Sequence, residues 1–148
     1  MKKIIVTIAA VFLAGSMMAQ KQEVSATKVG NRIDVVIGKQ FFTSYRFQPD
    51  EKYPFFFPVN GPVSGATTTS MRNGEYPHHS SLFFGCDRVN GGNYWQEGLE
   101  RGQIVSVGAR IVEAKGEQVV IEDECIWKRP DAQAPIIDRR KITISSPS

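Results

Sequence analysis

The sequence is poor in the residues that most often carry chemistry. It holds two cysteines and two histidines in 148 residues, and its 18 basic residues nearly balance 15 acidic ones. A surface so close to neutral argues against nucleic acid as a partner. Beyond the N-terminus no apolar run approaches the ~18 residues needed to cross a bilayer, so the chain is not expected to span a membrane. Cys86 and Cys125 are too few and too scattered to specify a metal site. Two roles stay open for them. They could close a bridge in an oxidising compartment, or they could act as small buried apolar residues among Phe84, Ile126 and Trp127.

What is present begins with an export signal. Lys2 and Lys3 precede a largely apolar run over residues 4–15, and Ala19 offers a small residue for cleavage. Cleavage there removes two basic residues and no acidic one, and leaves 129 residues with a net charge of +1. The expected product is residues 20–148, one domain of ordinary size, in the periplasm of a Gram-negative bacterium or secreted from it.

From residue 23 onward, short β-prone stretches alternate with turn residues. Residues 23–29, 32–37 and 40–47 are separated by Gly30-Asn31 and Gly38-Lys39, a meander of hairpins. Ile33, Val35 and Ile37 alternate with Asp34 and Val36, the period of a half-buried strand, and helical periodicity is absent. The middle, residues 49–93, is interrupted by Pro49, Pro54, Pro58, Pro62 and Pro77 and by several glycines. It is expected to form shaped loops rather than long strands. Such loops are often binding surfaces, although a stiff connector is the plainer alternative. Strands return over residues 104–107, 109–114 and 118–127, with a short last one over 141–144. The pattern predicts an all-β protein, an antiparallel β-sandwich.

Both histidines, His78 and His79, fall in Glu75-Tyr76-Pro77-His78-His79-Ser80-Ser81, at the end of the proline-rich stretch. Imidazole titrates near neutrality, which makes the pair the best candidate for moving a proton; holding backbone groups is the equal alternative. Adjacent side chains of an extended chain point to opposite faces, so one histidine is expected to reach a given site. Glu75, Asp87 and Glu97 are the nearby carboxylates, at no spacing that specifies a metal, and no Gly-x-Ser-x-Gly turn supports a serine hydrolase. Of the nine aromatic residues spread from Tyr53 to Trp95, most are expected in the core. Tyr94 and Trp95, after the Asn90-Gly91 turn, are expected at a half-wet site.

The run from Tyr76 to Gly85, followed by Asp87-Arg88-Val89-Asn90-Gly91 and Trp95, resembles the PmoA-like family of exported bacterial proteins. Tyr53-Pro54-Phe55, Trp127 and Arg139-Arg140 add to the likeness, which covers residues 33–144. The resemblance implies part of a larger sandwich similar to that of sugar mutarotases, with this chain corresponding to an N-terminal half. It also implies a carbohydrate ligand, with His78 or His79 moving a proton and Arg72, Asp87, Asn90 and Trp95 holding the sugar. No cofactor is expected. The oxygenase label carried by that family would call for copper, yet cleavage leaves Gln20, not histidine, at the new N-terminus. A non-catalytic envelope binding module is the alternative function.

Overall fold

The computed structural model describes residues 21–96, 98–114, 116–131 and 135–146, and the expected export signal lies outside them. Eleven strands and one short 3-10 turn make up the described chain. The first three strands, β1 (Val24–Val29), β2 (Arg32–Ile37) and β3 (Gln40–Arg46), are the predicted meander, within a residue or two of the expected ends. The turn glycines Gly30 and Gly38 have φ values of 56° and 62°, the left-handed conformation that tight hairpins demand and that glycine adopts without strain.

β4 (Phe55–Val59) and the two-residue β7 (Leu82–Phe83) extend this meander into one antiparallel sheet of order β1-β2-β3-β4-β7. Between them, β5 (Met71–Asn73) and β6 (Tyr76–Ser80) form a separate two-stranded hairpin. The middle of the chain is therefore not all loop, although none of its strands exceeds five residues, as its prolines dictate. β6 accepts Pro77 because a two-stranded hairpin has an unpaired side on which the missing N–H costs nothing.

The second sheet is built on β10 (Gln118–Lys128). β8 (Gln103–Ser106) and β9 (Arg110–Glu113) pair with successive stretches of one edge of β10, and β11 (Ile136–Ser145) pairs along the other. β11 is ten residues long, well beyond the predicted 141–144. Its first half carries the charged residues Asp138, Arg139 and Arg140, which interrupt the apolar pattern. Asp138 and Arg140 instead point inward and satisfy each other.

The two sheets pack face to face as a β-sandwich. One hydrophobic cluster joins Val24, Ile33, Val35 and Tyr45 of the first sheet to Val119 and Ile121 of the second; another joins Tyr53 and Phe55 to Ile104, Cys125 and Trp127. Between the clusters runs a belt of polar groups. The Tyr45 hydroxyl donates to Asp123 Oδ2 at 2.7 Å across the sandwich, and Ser106 Oγ donates to Oδ1 at 2.6 Å. Asp123 is 3% exposed, so these bonds replace water on a carboxylate that could not otherwise be buried. Cys125 is buried, and both cysteines are free thiols, so the small-apolar-residue role is the one the fold assigns. No helix among the described residues is long and apolar enough to cross a membrane.

Candidate functional site

The β5–β6 hairpin carries the histidines. Its turn is set by Asn73, whose Oδ1 accepts the Tyr76 backbone N–H at 3.0 Å, a local bond that asparagine side chains favour. At the far end Ser81 has a φ of 58°, unusual for a residue with a side chain, and there the chain leaves the hairpin and joins the main sheet as β7. Tyr53 fixes the hairpin from below: its ring stacks on Phe83 at 4.2 Å and its hydroxyl donates to the carbonyl of His78.

His78 and His79 were expected on opposite faces, yet their rings meet edge to face with centroids 4.5 Å apart. Strand alternation fixes only the Cα–Cβ directions, and at the rim of a narrow ribbon the imidazoles can turn toward each other. His79 stacks on Tyr76 at 5.0 Å, and His78 lies 6.3 Å from the ring of Trp95. Tyr76, His78, His79 and Trp95 thus form one aromatic cluster, in which Tyr76 is 44% and Trp95 41% exposed.

Trp95 arrives from a separate turn held by a set of hydrogen bonds. Asn93 Oδ1 accepts the backbone N–H groups of Trp95 at 3.0 Å and Gln96 at 2.9 Å. Its amide nitrogen donates to Asp87 Oδ1 at 2.9 Å. Lys52, buried, donates its ammonium to the carbonyls of Asn93 at 3.0 Å and Gly98 at 2.7 Å, on either side of Trp95. The preceding turn has φ values of 47° at Asn90 and 77° at Gly91, the tight turn that the Asn-Gly pair predicted. Gly92 lies so close to the Tyr94 ring that a Cβ there would come within 2.6 Å of it. Tyr94 is the correction to the sequence reading: it is 2% exposed and packs on Trp127 at 4.9 Å, so it belongs to the core and not to a wet site.

A groove of about 430 Å³ opens beside the cluster, lined by His79, Trp95, Phe83 and the hydroxyl residues Thr68, Thr69, Ser70 and Ser81. Ser81 Oγ donates to Thr69 Oγ1 at 2.7 Å, which ties the 67–70 segment to the end of the hairpin. Of the two histidines, His79 lines the groove and His78 fills the space between it and Trp95. The other predicted residues sit outside this groove. Arg72, with a φ of 50°, is ion-paired with Glu51, Asn90 is an exposed turn residue, and Asp87 acts on Trp95 through Asn93. Glu97 lies outside the described residues. The threonines and serines were missed because isolated hydroxyl residues in a loop carry no distinguishing sequence signal.

A family model described as a family of unknown function, DUF6807, matches residues 32–148, all but the first strand of the described fold. The chain belongs to the DUF6807 family. Comparison with curated proteins and with solved structures finds no match. The DUF6807 region contains both sheets from β2 onward, the histidine hairpin, the Trp95 turn and the hydroxyl-lined groove.

Proposed function

We propose that this DUF6807 chain is an exported, PmoA-like protein that binds a carbohydrate in the periplasm, at the groove between residues 67–70, β6 and Trp95. The observation that carries this reading is the pairing of a half-exposed tryptophan with a histidine and four hydroxyl side chains around one groove. A sugar ring offers an apolar face that suits an indole and a rim of hydroxyls that exchange hydrogen bonds with Ser, Thr and imidazole.

Acid-base chemistry on the sugar would need a second titratable group opposite the histidine. Among the described residues that line the groove, His79 is the only titratable one, which favours binding over turnover. A metal-dependent oxygenase gains no support, since among the described residues no three His, Cys, Asp or Glu side chains converge.

The test is a thermal-shift screen of the exported chain against mono- and disaccharides, repeated with Trp95→Ala, His78→Ala and His79→Ala. A sugar at a hundredfold excess over its Kd stabilises by about 2.7 kcal/mol, and Trp95→Ala and His79→Ala should remove that rise. Midpoints that no sugar moves, or that all three variants move equally with the parent, would refute a sugar site here.

A further inference from the structure

The aromatic cluster continues past the groove. Trp95 and His79 line the groove, and Tyr76 stands outside it, on the other side of His79. The Tyr76 and His79 rings stack at 5.0 Å with their planes 9° apart, so the imidazole covers one face of the phenol and leaves the other to solvent. His78 meets both exposed rings edge to face, Tyr76 at 6.3 Å and Trp95 at 6.3 Å. The two exposed rings therefore lie no farther apart than twice that distance, a gap that a short chain of linked sugar rings covers.

An irregularity in the hairpin sets these rings in place. Met71 pairs with Ser80 and Asn73 with Tyr76, so Arg72 alone lies opposite Pro77, His78 and His79. Such a bulge takes side chains out of the strict alternation of a strand and re-aims them. Arg72, with its φ of 50°, is anchored at the bulge by its ion pair with Glu51. Tyr76 is fixed at the other end of the same strand. Asn73 Oδ1 accepts its N–H at 3.0 Å, and Pro77 after it confines its backbone to extended conformations.

A tyrosine that serves only the fold would bury its ring or engage its hydroxyl. Tyr76 belongs to neither core cluster, and among the described residues its hydroxyl has no hydrogen-bond partner. What the hairpin holds out is a rigid ring with little side-chain freedom to lose on contact, apolar on its face and polar at its tip.

We propose that the ligand of this site is an oligosaccharide chain rather than a single sugar. One unit stacks on Trp95 within the groove, and a nearby unit of the same chain rests on the free face of Tyr76. This rests on the sugar-binding reading and extends it. The second contact forms within a ligand that the first already holds, so it adds affinity without a second cost of association.

The described lining of the groove carries no carboxylate, lysine or arginine, so the probes are uncharged. They are chains of one to four units of β-1,4-linked glucose, xylose or mannose and of α-1,4-linked glucose. Titration calorimetry with the purified full chain, single units at millimolar concentration, should show in at least one series an affinity that rises at least tenfold from one unit to four. Tyr76→Ala should remove most of that rise, Tyr76→Phe should keep it, and Trp95→Ala should weaken every length, the single unit included. Circular dichroism checks that each variant keeps the fold. Binding that is independent of chain length overturns this proposal and leaves the sugar site standing. A Tyr76→Ala variant that weakens the single unit as much as the chain does the same, because Tyr76 would then act only through His79. Failure of every probe to bind defeats the sugar reading and this proposal with it.

Discussion

Replacing Tyr45 with phenylalanine should destabilise the domain by about 2 kcal/mol, although it removes a single oxygen atom. The ring would stay where it packs, 4.9 Å from Phe56 and 5.8 Å from Phe47, so no cavity of consequence opens. What is lost is the hydroxyl that donates to Asp123 Oδ2 at 2.7 Å. Hydrogen bonds to a charged group contribute about 1.5–3 kcal/mol, and Asp123, 3% exposed, has no water to turn to. Ser106 and Cys125 still donate to it, which keeps the loss near the middle of that range. For a domain of this size the midpoint should fall by roughly 6–10 °C. Thermal and urea unfolding followed by tryptophan fluorescence would measure it, since Trp127 lies in the adjoining core cluster. Combined with Asp123→Asn in a double-mutant cycle, the pair should couple by more than about 0.5 kcal/mol. A loss below ~0.5 kcal/mol, or effects of the two substitutions that simply add, would show that the belt does not hold the sheets together.

Two further predictions concern pH. Burial would raise the pKa of Asp138, but hydrogen bonds from Arg140 and Trp127 and the charge of Arg140 hold it below the ordinary value. A carboxyl depressed in the folded state stabilises above its unfolded pKa of about 3.9, and that stability is lost as pH falls through the folded value. Asp138→Asn should therefore flatten the acid limb of the stability curve below about pH 4; an unchanged limb would contradict the pairing. Cys125 shows the opposite sign. Burial first, then Asp123 and Asp138, raise its thiol against the opposing charge of Arg140. Its contribution is complete below the unfolded pKa of about 8.5 and is lost as pH rises beyond it, so Cys125→Ser should flatten the alkaline limb. In the native protein a thiol reagent should spare Cys125 and reach only the half-buried Cys86, and denaturation should release both thiols. Recovery of neither thiol after unfolding would mean that the two are bridged.

The strands that could be read from sequence are those whose side chains alternate cleanly. β2 has Ile33 and Val35 facing in, and β10 buries Val119, Ile121, Asp123, Cys125 and Trp127 at every second position. Where the inward set is polar the pattern fails. β11 places Asp138 and Arg140 in line with Ile136, Ile142 and Ile144, a legible alternation only once the partners of the two charges are known. The hairpin of β5 and β6 was hidden for a different reason, because Pro77 in a half-exposed ribbon reads like a loop residue. At the candidate site, His79 and Trp95, which the structure brings to one groove, could be singled out in the sequence by their chemistry, and the Asn90-Gly91 turn by its dipeptide. The approach of His78 to Trp95 could not, since it depends on contacts that Tyr53 and Lys52 make across the fold.

The clasp of Lys52 and Asn93 on the Trp95 turn bears on how a ligand would be met. A side chain left free in solution must be immobilised when it is engaged, at a cost of about 0.5–1.5 kcal/mol for each flexible group. Here the backbone around the indole is already restrained by Asn93 from within and by Lys52 from below. That ordering is incurred once, when the chain folds, and not at each encounter. A ligand would then lose less of its interaction energy to ordering this turn, and loosening the clasp would show as faster release from an otherwise intact groove.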